Sequence, residues 1–151
     1  SAQYLRSAVE ASLTRLCVDV IDLYQIHRPD FLAHPAEIAG VLTALREEGK
    51  IREVGVSNYT ASQFSALQAH LPFPIVTHQP EFSAWRNGPL RDGVLDQCME
   101  RGVTPLAWSP FGGGVLGLTS EEALRQPKAP PHSKPGGHPW VVKLSGFLVS
   151  K

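Results

Sequence analysis

Hydrophobic positions along this chain alternate between two rhythms. Leu5, Val9, Leu13 and Leu16 recur at spacings of four, four and three, one face of a helix over residues 1–16. Residues 18–27 carry a short apolar run without that spacing and read as a buried strand. Helical spacing returns at 35–48, with Pro35 suited to a first turn, a stripe of Ile38, Val41, Leu42 and Leu45, and Gly49 as the stop. Residues 51–56 form a second strand pattern ending at Ser57 and Asn58. Thr60, with Gln63 three residues on, is the signature of a capped helix start, and the helix carries Phe64, Leu67 and Leu71 before Pro72 and Pro74 break it. A third strand is expected over 75–82, interrupted by Pro80, then a helix over 90–101 stopped by Gly102, and a fourth strand over 103–109.

Short apolar strands separated by helices require parallel pairing with right-handed crossovers. The strand ends fall at His27, Ser57, Gln79 and Trp108, with gaps of 30, 22 and 29 residues. Polar groups at successive strand ends suit a barrel whose site lies on one rim. About four βα units do not close an eight-stranded barrel, which needs about 250 residues. The expected fold is therefore α/β, a partial (β/α)8 TIM barrel over residues 1–118. Between 127 and 139, seven of thirteen residues are Pro or Gly. Such a stretch buries too little surface to order itself. Residues 119–151 are expected to form an irregular or disordered tail outside the barrel, although 140–149 is apolar again.

Composition narrows the classes. The 151 residues are 42% hydrophobic and 19% charged, with zero formal net charge, so no field draws nucleic acid or an anionic membrane. No apolar run approaches the roughly 18 residues of a membrane span, and no secretory signal is visible. Cys17 and Cys98 are too isolated for a disulfide framework or metal cluster; both are expected reduced and buried, in a cytosolic protein.

The richest candidate chemistry lies at residues 21–30. Apolar and aromatic residues lead into His27, and Arg28, Pro29 and Asp30 end the run. That delivers one polar side chain to the catalytic end of a barrel strand, although a histidine there also suits a loop carbonyl. Ser57 and Asn58 offer the donors and acceptors that an amide ligand needs, or a helix cap, a role Thr60 already fills. Residues 112–117 read literally as G-x-G-x-x-G after a strand. A dinucleotide fold would need a second strand with a terminal acid some 20 residues on, where the Pro/Gly segment lies instead.

Several motifs stand in one order. Ser12, Leu13, Arg15, Leu16 and Asp19 lead into Ile21, Asp22, Leu23, Tyr24 and His27. Gly49, Lys50, Ile51 and Arg52 lead into Val54, Gly55, Val56, Ser57 and Asn58. Gln79 and Glu81 follow, then Trp108, Ser109 and Pro110. In this series the chain resembles the aldo-keto reductases over about residues 4–118. The resemblance implies NADPH as cofactor and a small aldehyde or ketone reduced to an alcohol. It implies that His27 hydrogen-bonds the substrate carbonyl oxygen, that Ser57, Asn58 and Gln79 hold the nicotinamide carboxamide, and that Trp108 stacks on the nicotinamide ring. Ser109, Phe111, Gly112 and Gly113 match the loop over the pyrophosphate. His78 stands where many relatives have asparagine and receives no role. The family's proton-donor tyrosine, lysine and aspartate belong to strands before residue 1. Tyr4, Tyr24, Tyr59 and Lys50 lack their context, and Lys128, Lys134 and Lys143 do not match the grip on the 2′-phosphate. The chain is expected to have no useful reductase activity alone. The alternatives are a truncated remnant that binds nucleotide or a partner without catalysis, and a cofactor-binding redox sensor of the same fold. Oligomeric state is not legible.

Overall fold

Strand and helix alternate as the hydrophobic rhythm requires. The computed structural model describes residues 2–119, 121–122 and 147–150. Helix α1 (Ala2–Leu16) precedes β1 (Ile21–Ile26), α2 (Pro35–Glu47), β2 (Ile51–Ser57), α3 (Ala61–Gln68), β3 (Ile75–Gln79), α4 (Val94–Arg101), β4 (Thr104–Pro105) and β5 (Phe147–Ser150). All strand pairs are parallel, in the order β4-β3-β2-β1-β5.

Side-chain alternation separates two faces of this sheet. Tyr24, Val54, Val56 and Ile75 join Leu5, Val9, Leu42, Leu45, Phe64 and Leu67 in one buried cluster beneath the helices. Gln25 and Thr77 turn to the opposite face, either side of Gly55. A register shift in β3 makes this possible. Val54 pairs with Ile75, but Gly55 pairs with Thr77, so one extra residue lets Ile75 face the helices and Thr77 the inner face.

Caps follow the sequence closely at α3, where Thr60 Oγ1 accepts from Gln63 N–H and Gln63 Oε1 accepts from Thr60 N–H. At α2 the cap is His34, whose Nδ1 accepts from Ala36 N–H at 3.2 Å, just before Pro35. Arg6 and Lys50 flank Glu48 and hold its carboxyl down to about 2. Lys50 also reaches Glu10 at 2.8 Å, tying α1 to the loop between α2 and β2.

The structure departs from the expected boundaries where proline or turn geometry intervenes. β3 stops at Gln79 because Pro80 has no N–H to continue the ladder, and pairing resumes only as a single bridge between Glu81 and Trp108. The fourth strand shrinks to Thr104–Pro105. Helix α4 starts at Val94, not residue 90, because a 3-10 turn (Gly88–Leu90) and left-handed Gly93 precede it. Cys98 is buried, but Cys17 is exposed just beyond α1, correcting the expectation that both are buried. Residues 147–150 pair with β1, from Leu23↔Phe147 to Ile26↔Ser150, so that part of the expected irregular tail is a strand. The Pro/Gly-rich stretch 127–139 lies outside the described residues.

Candidate active site

The strand ends converge through one amide. β1 delivers His27, β2 ends in Ser57, and Asn58 follows in the left-handed region at φ 59, which asparagine tolerates better than most residues. Asn58 Nδ2 donates to the His27 carbonyl at 2.9 Å and to Ser57 Oγ at 3.0 Å. Its Oδ1 accepts from Trp108 Nε1 at 2.8 Å. Its backbone N–H and the Ser57 hydroxyl both donate to the Gln79 carbonyl, at 3.2 and 2.7 Å. Asn58 thus ties the ends of β1, β2 and β3 to the segment after β4. Four of the residues singled out in sequence, His27, Ser57, Gln79 and Trp108, meet it directly.

Below this rim lies a second polar layer. Thr77 Oγ1 donates to Gln25 Oε1 at 2.9 Å, and Gln25 Nε2 donates to Gln79 Oε1 at 3.1 Å. Gln25 and Thr77 are buried, so each bond replaces water that cannot enter. The layer fixes the Gln79 carboxamide and leaves its Nε2 as the donor. Gln25 was missed from sequence. Its signal was a polar residue inside the otherwise apolar end of β1.

The rim continues past Trp108 in a strained loop. Ser109 has φ 54, and Gly112, Gly113 and Gly114 follow at φ 61, 69 and 98. Glycine adopts these conformations without a Cβ penalty, and the loop closes on itself, with Gly112 N–H donating to the Ser109 carbonyl at 2.8 Å and Gly114 N–H to the Phe111 carbonyl at 3.1 Å. Gly112 is buried here, whereas Phe111 is 72% exposed and lies on the outer surface of the loop.

A family model for the aldo/keto reductase family matches residues 1–146. This chain belongs to the aldo/keto reductase family. It is 55% identical over 116 residues to a 6-dehydroglucose reductase of Novosphingobium aromaticivorans, covering 77% of this chain and 38% of that protein. It is 44% identical over 113 residues to oxidoreductase YdhF of Escherichia coli, covering 75% and 38%. Among solved structures, the thermostable aldo-keto reductase Tm1743 superposes with a TM-score of 0.70 at 34% identity, over 81% of this chain and 43% of that one. The glycerol dehydrogenase AKR11B4 of Gluconobacter oxydans gives 0.71 at 34% identity, over 76% and 34%. The chain thus spans about two-fifths of the curated relatives it matches, and its fold is the corresponding part of an aldo/keto reductase barrel. No helix among the described residues is long and apolar enough to cross a membrane.

His78, beside Gln79, belongs to the scaffold of this aldo/keto reductase and not to its rim. It is fully buried on the helix side, stacked on Phe64 at 5.8 Å, and neither ring nitrogen makes a hydrogen bond of good geometry. Burial pushes its pKa below the ordinary 6.5, against weaker opposing effects of the Tyr59 backbone and the Asp92 carboxylate. Unfolding exposes an imidazole that takes up a proton more readily than the buried one does. Stability is therefore present above about pH 6.5 and declines as pH falls through it, by up to about 1.4 kcal/mol per pH unit. Urea midpoints measured between about pH 7.5 and 5 should show this decline, and His78→Asn should flatten it. Equal slopes in the two proteins would contradict the assignment.

Proposed function

We propose that this chain carries the coenzyme-facing part of an NADPH-dependent carbonyl reductase that converts an aldehyde or ketone to an alcohol. The observation that carries the proposal is the hydrogen-bonded set on one rim, with Asn58 joining His27, Ser57, Gln79 and Trp108. A carboxamide needs one donor and two acceptors in a plane. Gln79 Nε2 supplies a donor, while Ser57 Oγ and the second lone pair of Asn58 Oδ1 supply acceptors. This donor set fits the nicotinamide end of the coenzyme, and by resemblance to the family we assign its pyrophosphate to the loop of Ser109, Phe111, Gly112 and Gly113. Trp108 presents a broad flat face to the ring. The His27 ring N–H hydrogen-bonds the substrate carbonyl oxygen and stabilises charge developing there. Bound coenzyme supplies the hydride. Trp108 and Asn58 keep the ring's plane and the carboxamide's rotation fixed, so the reacting face is set before substrate arrives. The relatives named 6-dehydroglucose reductases make sugar-derived carbonyls the first substrates to try, in a cytosolic setting.

A second reading, binding without catalysis, is favoured by the burial of Tyr24 and Tyr59. Tyr24 is fully buried beneath the helices, and burial together with the Asp30 carboxylate pushes Tyr59 up to about 12. Neither is exposed as a proton donor. The expected outcome is saturable NADPH binding by the purified chain with negligible oxidation of the coenzyme in the presence of aldehydes and ketones. Robust turnover would overturn the second reading; absence of binding would overturn the first.

A further inference from the structure

The two sides of the β2–β3 pair end differently. On one side the sheet stops at β4, which is two exposed residues long and contains Pro105. A short strand with a proline offers little ladder to another chain, a common protection of a sheet edge. On the other side stands β1, which has no such protection. Its six residues hold no proline or lysine, its register with β2 is unbroken, and its one charge, Asp22, is paired with Arg52 on β2. Ile21, Leu23, Tyr24 and Gln25 are buried. That is the composition of an interior strand, which needs a neighbour on each side.

The second neighbour of β1 is β5. Ile21 N–H donates to the Lys50 carbonyl at 3.0 Å, toward β2. Successive N–H groups along a strand point to alternate sides, so Leu23 and Gln25 also face β2, while Asp22, Tyr24 and Ile26 face β5. Tyr24 lies opposite Leu148. In a parallel pair such a residue bonds the two positions flanking its partner, so Val149 N–H points to β1 and Leu148 N–H points away. β5 is four residues long and pairs with β1 alone. In sequence the Pro/Gly-rich stretch 127–139 stands between it and the other strands. So short a ladder opens locally before the sheet does.

We propose that β5 is a detachable strand guarding the edge of β1, and that the edge it covers is a docking surface for a second copy of this chain. A strand supplied by the same chain competes at an effective concentration of the order of millimolar, which keeps the edge closed at lower protein concentrations. With β5 away, two copies related by a two-fold axis pair β1 against β1, antiparallel, about Tyr24. That register sets Asp22 opposite Ile26, with no like charges face to face.

The test is residue-resolved amide hydrogen exchange, together with light scattering, on the full chain and its Val149→Pro and Leu148→Pro variants. Val149→Pro removes a donor to β1. Well below millimolar concentration it should speed exchange of the Tyr24 and Ile26 amides by about 10-fold or more, while Leu23 and Gln25 stay protected by β2. The variant should dimerise as its concentration rises, with Tyr24 and Ile26 regaining protection. Leu148→Pro loses an N–H that faces away from β1 and should behave nearly as the unsubstituted chain. Unchanged exchange at Tyr24 and Ile26 in Val149→Pro would overturn the guarding role. Faster exchange in a variant that stays monomeric at every concentration would overturn the docking surface. Protection lost throughout β1, β2 and β3 would overturn both, because β5 would then be integral to the core and not detachable.

Discussion

Gly55→Ala should destabilise the chain by about 2–4 kcal/mol, more than a single added methyl group usually costs. A Cβ at this position would stand 2.0 Å from Thr77 Oγ1, 2.8 Å from Gln25 Cγ and 3.0 Å from Gln25 Oε1. Those atoms cannot move aside cheaply. Thr77 is short and β-branched, and its hydroxyl is bonded to Gln25, which is bonded in turn to Gln79. Relief of the clash breaks that chain and leaves buried polar atoms without partners, at about 1–3 kcal/mol. Chemical denaturation of Gly55→Ala and of Gly55→Ala combined with Thr77→Ala checks this. The second substitution removes the closest atom and should restore part of the loss. A cost below about 0.5 kcal/mol would mean that the inner faces of β1, β2 and β3 are not packed as described.

Asn58→Ala should cost about 3 kcal/mol in stability and abolish measurable coenzyme binding. The substitution removes two donors and one acceptor at once, leaving the His27 carbonyl and the Trp108 indole N–H to find other partners. It also places a residue with little left-handed preference at φ 59. Asn58→Asp separates the effects. Aspartate tolerates the same backbone and keeps an acceptor for Trp108, but it has no N–H for His27 or Ser57. Its stability loss should be the smaller of the two, while coenzyme binding still falls sharply because the β1 and β2 ends are no longer joined. Coenzyme affinity unchanged in both variants would remove Asn58 from the site.

Much of this fold was legible in the sequence because its strands and helices bury strictly periodic residues. Leu5 and Val9 on α1, Leu42 and Leu45 on α2, and Phe64 and Leu67 on α3 all reached the core. The capping box at Thr60 and Gln63 was local and survived intact. What failed was non-local. Pro80 shortened β3, and the register shift at Ile75 and Thr77 exists only relative to β2. Residues 147–150 become a strand only because β1 has an edge to pair with, which no local pattern reveals.

The candidate site was legible as a set of strand ends, and His27, Ser57, Asn58, Gln79 and Trp108 do lie together. Their bonding was not legible. Nothing in the sequence says that Trp108 donates to Asn58, or that Gln25 and Thr77 hold Gln79 from below, because these contacts span 50 or more residues. Phe111 was singled out with its glycine neighbours by its place in a motif. Its side chain points into solvent, so its role in the unliganded chain is carried by its backbone carbonyl, which accepts from Gly114 and Leu116.

The central claim is that this rim binds the nicotinamide end of the coenzyme. Its most direct test is a fluorescence titration of the full chain with NADPH, compared with Trp108→Leu. Saturable quenching that is largely lost in Trp108→Leu, although Trp85 and Trp140 remain, is the result expected when the nicotinamide lies against Trp108. Emission that does not change with NADPH, or quenching that persists undiminished in Trp108→Leu, would contradict it.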